Sequence, residues 1–221
     1  AAISACEKGQ RWEQALWALA DSTGRGFTPN NVLFCATVSA CEKGHQWERA
    51  LQLLCDMRIF RLTPSVITYN AAISACEKSE QSGMALRLLE EMQQHGLEFS
   101  TTTINAAISA CEKGHEWLRA LHLVDSMVEV DLITLNAAIS ACAKGRSWEH
   151  GIAMLSTMHT CGLEPNLITF NATLDALDRG GCWREAVRLL QAMRSGAVEP
   201  DVVSCAAAIR ACTGGGRADR A

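Results

Sequence analysis

Asn-Ala-Ala-Ile-Ser-Ala-Cys occupies residues 70–76, and the same seven residues return at 105–111 and again at 136–142. Ala1–Cys6 repeats the string without its first residue. The matching cysteines are Cys6, Cys41, Cys76, Cys111, Cys142 and Cys212, spaced 35, 35, 35, 31 and 70 residues apart. A fixed period of this size marks a stacked-repeat architecture. Such an array works through one extended surface rather than through one pocket.

Working outward from the string, each period reads as two helices. The second carries an apolar stripe at spacings of three and four: Trp47, Ala50, Leu51, Leu54 and Met57. The stripe returns from Trp117 to Met127, from Trp148 to Met158 and from Trp183 to Met193, with Ser82 in place of the tryptophan in one repeat. The first helix is built on small residues such as Ala107, Ile108, Ala110 and Cys111. Gly44, Gly114 and Gly145 fall at the joint between the helices, as expected of a helix C-terminus. Pro29, Pro64, Pro165 and Pro200 fall where a repeat must end. The expected architecture is all-α, a right-handed superhelical solenoid of stacked helical hairpins. It is laid out as one array: a partial repeat 1–30, full repeats 31–65, 66–100, 101–131, 132–166 and 167–201, and a partial repeat 202–221. The 101–131 repeat is four residues short and lacks the equivalent of His159–Pro165, which predicts a tighter exit from its second helix.

Composition fits this reading: 48% of the chain is hydrophobic, 5% is aromatic, and no alternating strand pattern occurs. No apolar run approaches the roughly 18 residues of a membrane span. The chain lacks an initiator methionine and starts inside a helical pattern, so it is expected to be a fragment whose missing targeting segment carries no weight. The eleven cysteines do not read as a disulfide framework. Equivalent points on stacked helices sit roughly 8–10 Å apart, beyond the roughly 7 Å that a disulfide can bridge. The repeat cysteines and tryptophans are expected to be buried, in a reducing compartment. Cys-Glu-Lys-Gly-His occurs at 41–45 and 111–115, but no Cys-x-x-Cys pair accompanies it, so no metal site is expected. Neither a phosphate-cradling glycine motif nor a nucleophile with its base is present, and no catalysis or cofactor is expected. The repeated Glu-Lys neighbours point about 100° apart on a helix and do not form an acid–base pair.

Lys8, Lys43, Lys78, Lys113, Lys144 and Arg179 occupy one equivalent position near the end of the first helix. Stacking lines them into a basic row, read either as helix C-terminal capping cations or as a ladder of phosphate contacts. The formal net charge of −4 does not exclude the second reading, because distribution over faces counts for more than the sum. Glu7, Glu42, Glu77 and Glu112 lie beside the row and weaken it.

Val66-Ile-Thr-Tyr-Asn70, Leu167-Ile-Thr-Phe-Asn171 and Gly162-Leu-Glu-Pro-Asn166 closely resemble the opening and ending of the pentatricopeptide repeat. The tetratricopeptide signature and period do not fit. The resemblance covers essentially the whole chain, and a 31-residue variant of the repeat matches 101–131. It implies a single-stranded RNA-binding protein of chloroplasts or mitochondria, the chloroplast favoured, acting in RNA processing, editing, splicing, stability or translation at one base per repeat. It implies organellar RNA as the partner, joined by other RNA-processing proteins, with neither a membrane nor a small-molecule substrate. The implied base readers are the polar residue opening the first helix, at Cys35, Asn70, Asn105, Asn136, Asn171 and Ala206, and the last residue of the repeat, at Asn30, Ser65, Ser100, Asp131, Asn166 and Asp201. The family's code implies C for Asn70/Ser100, U for Asn105/Asp131 and Asn171/Asp201, and C or U for Asn136/Asn166. Cys35/Ser65 is not a standard pair, and Ala206 is a poor reader. Val32, Ile67, Ile133, Ile168 and Val203 are implied to sandwich bases, with Thr102 departing from the pattern. For the asparagines, N-capping of the first helix is the structural alternative. A protein-binding helical scaffold is the functional one, since the fold alone permits both.

Overall fold

The computed structural model describes residues 11–127, 130–196 and 198–218, so Cys6 and Lys8 lie outside the described residues. Twelve helices and no strand occur among the described residues: α1 (Trp12–Gly24), α2 (Asn31–Lys43), α3 (Trp47–Ile59), α4 (Val66–Lys78), α5 (Ser82–Gln94), α6 (Thr101–Lys113), α7 (Trp117–Asp125), α8 (Leu132–Lys144), α9 (Trp148–Thr160), α10 (Leu167–Gly180), α11 (Trp183–Ser195) and α12 (Val202–Ala218). They fall into two compact halves, residues 1–110 and 111–221.

In the first half α2 packs on α3 and, side by side, on α4, while α4 packs on α3 and α5. In the second half α10 lies between α8 and α12, with α9 and α11 completing the hairpins. First helices thus pack on first helices, and each second helix is shared between its own first helix and the next. Small residues permit the close approach: Ala71, Ala72, Ala75 and Cys76 of α4 are buried, as are Ala138, Ala141, Cys142 and Ala143 of α8. The second helices contribute larger side chains at helical spacing, Ala50, Leu53, Leu54 and Met57 from α3 and Ala85, Leu88, Leu89 and Met92 from α5.

Each first helix that leads into a second one through a short joint closes the same way. Gln46, Gln81, Glu116 and Ser147 donate their backbone N–H to the carbonyls of Cys41, Cys76, Cys111 and Cys142 at 2.9 Å. The residue before each donor is left-handed, as in a Schellman turn. That residue is His45, Glu80, His115 or Arg146, with φ between 55° and 59°. The preceding glycines Gly44 and Gly145 have φ of −87° and −80°, so they do not supply the left-handed position expected of them. Their role is close approach instead. A Cβ on Gly44 would overlap the Trp12 ring, and one on Gly145 would overlap the Trp117 ring. Trp12, Trp117 and Trp148, each opening a second helix, lie against the end of the next first helix.

Three further expectations need correction. Trp12, Trp47, Trp117 and Trp148 are half-buried and Trp183 is 38% exposed, because the indole covers a helix end at the surface rather than filling the core. Cys212 is exposed, since among the described residues no second helix packs on α12 beyond it. In the short repeat, α7 has 9 residues where α3, α5, α9 and α11 have 13. The deletion therefore shortens the helix itself and not only its exit. Four residues are about one helical turn, so the apolar stripe keeps its phase.

Candidate nucleic-acid interface

The candidate residues recur at fixed places on the first helices. Position two of α2, α4, α8, α10 and α12 holds Val32, Ile67, Ile133, Ile168 and Val203, each between 56% and 74% exposed. A β-branched residue has few rotamers to lose, so these side chains stand stiffly in solvent. Thr102 of α6 is exposed at the same place. In the first half two shallow hollows lie along this row. One, between Val32 and Ile67, also takes in Cys35, Ala36, Ser39 and Ser65. The next, between Ile67 and Thr102, takes in Asn70, Ala71, Ser74 and Ala106.

Position five holds Cys35, Asn70, Asn105, Asn136, Asn171 and Ala206, all half-buried. It lies inside the helix, so the asparagines are not N-caps. The cap is the other member of each pair, the residue that ends the preceding repeat. Asn30, Ser65, Asp131 and Asn166 are the N-caps of α2, α4, α8 and α10, and each accepts from the backbone N–H of the third helical residue. Ser100 and Asp201 accept in the same way from the N–H of Thr103 and Ser204, at 3.2 and 2.8 Å.

The stacking brings the paired residues together. Asn70 donates Nδ2–H to Ser100 Oγ at 3.4 Å. Asn171 donates Nδ2–H to the Asp201 carboxylate at 3.3 and 3.4 Å. Asn136 and Asn166 meet through Thr169, whose hydroxyl lies 2.7 Å from Asn136 Oδ1 and 3.1 Å from Asn166 Oδ1. Hydrogen bonds from the Ser204 backbone, the Ser204 hydroxyl and Asn171 outweigh desolvation and hold the Asp201 carboxyl below the usual range. Asn105 is in the first half and Asp131 caps α8 in the second.

The basic row is engaged with protein partners, and Lys78 and Lys144 reach across to the preceding repeat. Lys78 Nζ lies 2.8 Å from Glu42 and Lys144 Nζ lies 3.1 Å from Glu112. Arg179 pairs with Asp175 one turn back on α10 at 2.8 Å. Lys43 and Lys113 also have partners. The serine of the seven-residue string completes the arrangement: Ser74, Ser109 and Ser140 donate to Glu42, Glu77 and Glu112 at 3.0, 2.9 and 2.7 Å. Each carboxylate thus ties its repeat to the next. Pairs this exposed contribute about 0–1 kcal/mol each.

One set of residues escaped the sequence reading. Thr68, Thr103, Thr134, Thr169 and Ser204, the third helical residues, are fully buried and polar. Thr103, Thr169 and Ser204 each donate to the position-five asparagine of the repeat before, at 2.6, 2.7 and 2.6 Å. The available signal was the threonine inside Leu167–Asn171, Thr169, whose partner Asn136 lies 33 residues earlier. Among the described residues no group of three or more His, Cys, Asp or Glu is placed to hold a metal ion, and no helix is long and apolar enough to cross a membrane.

Residues 19–79 and 122–179 match the profile of the pentatricopeptide repeat domain, and residues 64–113 match that of the PPR repeat family. The first match alone takes in more than half of the chain. The chain belongs to the pentatricopeptide repeat family. Among solved pentatricopeptide repeat structures, PPR10 from maize superposes with a TM-score of 0.82 at 25% identity, over 98% of this chain and 31% of that protein. This chain therefore spans about a third of the length of PPR10. PPR10 in complex with an 18-nt psaJ RNA element gives a TM-score of 0.47 at 21% identity, over 91% of this chain and 34% of that one. The nuclear proteinaceous RNase P 2 of A. thaliana gives 0.66 at 15% identity, over 75% of this chain and 39% of that one. No curated protein sequence matches the chain.

Proposed function

We propose that this pentatricopeptide repeat chain binds single-stranded RNA, one base per repeat, with a preference for pyrimidines. The observation that carries the reading is the recurrence of one polar pair beside one stiff apolar side chain. In Asn171/Asp201 the amide keeps a second N–H after its bond to the carboxylate, and the carboxylate keeps lone pairs for a donor. Uracil offers a donor next to an acceptor and satisfies both. Val32, Ile67, Ile133, Ile168 and Val203 are exposed at one recurring helix position, which supports a role in sandwiching bases. Likeness to PPR10, itself solved with an RNA element, supports the same reading. Lys43, Lys78, Lys113, Lys144 and Arg179 are the phosphate contacts of this proposal. Lys78 and Lys144 then exchange a carboxylate for phosphate or share between the two. The RNA would be organellar, of the chloroplast before the mitochondrion, and the outcome its processing, editing, stability or translation.

The test is Asn171→Thr with Asp201 kept. Asparagine and threonine have similar helix propensities, so α10 should survive the change. By the family's code the position should turn from U towards G, with discrimination of about 1–3 kcal/mol. Binding is compared on short RNAs that differ only at that base. Unchanged preference for U in a folded variant, or no binding of RNA by the parent chain, would favour a protein-binding scaffold.

A further inference from the structure

We infer that the carboxylates of Glu42, Glu77 and Glu112 select ribose over deoxyribose, each accepting a hydrogen bond from the 2′-hydroxyl of one of three successive nucleotides. The inference rests on the RNA-binding reading proposed above.

The carboxylates lie where the strand would run. Glu42 lines the same shallow hollow as Ile67, Asn70 and Ser74. Asn70, Ser74 and Lys78 are spaced by four residues, so they stand on one face of α4, about 6 Å apart along its axis. Glu42 joins this row at its middle level from the neighbouring helix α2. Ser74 Oγ donates to Glu42 Oε1 at 3.0 Å, and Lys78 Nζ donates to the same oxygen at 2.8 Å. A nucleotide is built in the order base, ribose, phosphate. One whose base meets Asn70 and whose phosphate meets Lys78 sets its ribose at the level of Ser74 and Glu42. Ser109 donates to Glu77 and Ser140 to Glu112 in the same way, at 2.9 and 2.7 Å, and Asn105 and Asn136 lie one turn before those serines.

An ionised carboxylate can only accept. Along a nucleic-acid backbone the phosphates also only accept, and the 2′-hydroxyl is the group that can donate. An acid beside the strand is repelled by the phosphates unless a 2′-hydroxyl meets it, and deoxyribose leaves that repulsion uncompensated. Glu42 can take such a donor. Both bonds it receives end on Oε1, and Oε2 keeps its lone pairs. The side chain is 20% exposed, so it reaches the surface while Ser74 and Lys78 hold it in place. A tie between repeats would explain the ion pair with Lys78, but it does not require the carboxylate to open on the hollow that holds the base reader.

The experiment measures the affinity of the whole chain for one short RNA, and for the same RNA carrying a single 2′-deoxy nucleotide at each position in turn. The parent should lose about tenfold at three adjacent positions, as for one hydrogen bond to a charged group. A 2′-fluoro nucleotide keeps a ribose-like pucker but has no proton to give, so it should lose as much there. Glu42→Ala should reduce the loss to about twofold at one of the three positions only, and Glu77→Ala should do so at its neighbour. Helix α8 carries Ala143 at the equivalent place, so the fold should tolerate alanine, which circular dichroism reports. Glu42→Met keeps the length of the side chain without its acceptor, carries the same expectation and keeps the test open if alanine unfolds the chain. Deoxy losses unchanged in folded variants overturn the inference, as does full affinity of the parent for the 2′-deoxy or 2′-fluoro RNAs. An equal change on every oligonucleotide in Glu42→Ala also overturns it, and leaves Glu42 as a restraint on Lys78 alone. A parent chain that binds neither the RNA nor its deoxy forms defeats the RNA-binding proposal itself, an outcome distinct from the others.

Discussion

Cys41, Cys76, Cys111 and Cys142 are fully buried, and burial pushes their thiols from 9.0 up to about 11, 11, 12 and 11. In the unfolded chain a thiol loses its proton near its ordinary value. The fold resists that loss for a further two units or more, so a raised folded value means stability that is complete below about pH 9 and falls as pH climbs through about 11. The melting temperature should therefore drop between these values, and replacing the four cysteines by alanine should flatten the drop. A thiol-reactive dye at neutral pH should modify the exposed Cys55, Cys161 and Cys212 at once and these four only on unfolding. Rapid modification of all of them in native protein would refute their burial. The burial of these four was legible in the sequence, because each repeats one position in a helix of small residues. The exposure of Cys212 was not, since it depends on what packs beyond the residue and not on the residue's own surroundings in the string.

Helices meet through two kinds of glycine, and the sequence does not tell them apart. Gly145 ends α8 beneath the Trp117 ring, with no room for a Cβ. Gly151 lies inside α9, where a Cβ would sit 3.5 Å from Ala176 Cβ and 4.0 Å from Cys142 Cβ, ordinary packing distances. Its counterparts Ala50, Ala85, Ala120 and Ala186 are all fully buried alanines. Gly145→Ala should thus lose about 1–3 kcal/mol to overpacking, while Gly151→Ala should gain about 0.5–1 kcal/mol of stability. Denaturant midpoints of the two variants should move in opposite directions. The loss in Gly145→Ala should shrink in a Trp117→Ala background, because the two side chains are coupled. The glycine at the joint was visible as punctuation, and the turn it marks does exist. Its reason was hidden because the ring that demands it belongs to the preceding repeat.

For the molecule as a whole, period and stripe were enough to read stacked helical hairpins, because helix phase and repeat length are local properties of the chain. The position-five asparagines and the repeat-ending caps were legible by resemblance, but which of them caps a helix was not. That depends on where the helix starts, and a shift of a few residues exchanges the roles. The lysine row was equally visible, while its carboxylate partners 32 to 36 residues away emerged only from the stacking. Replacing Lys78 and Lys144 together by alanine should weaken all RNAs alike. It should also flatten the dependence of log affinity on log salt by about 0.7 for each phosphate no longer neutralised. An unchanged slope would leave these lysines as ties between repeats and nothing more. The hydrogen bonds from Thr103 to Asn70 and from Ser204 to Asn171 carry a consequence for anyone grafting these modules into another array. A cassette cut at residue 100 transplants Asn70 and its paired Ser100 but leaves behind the Thr103 hydroxyl that completes their circuit. A cassette running from residue 66 to residue 103 moves the circuit intact, so the natural junction for recombination lies one helical turn past the end of the repeat.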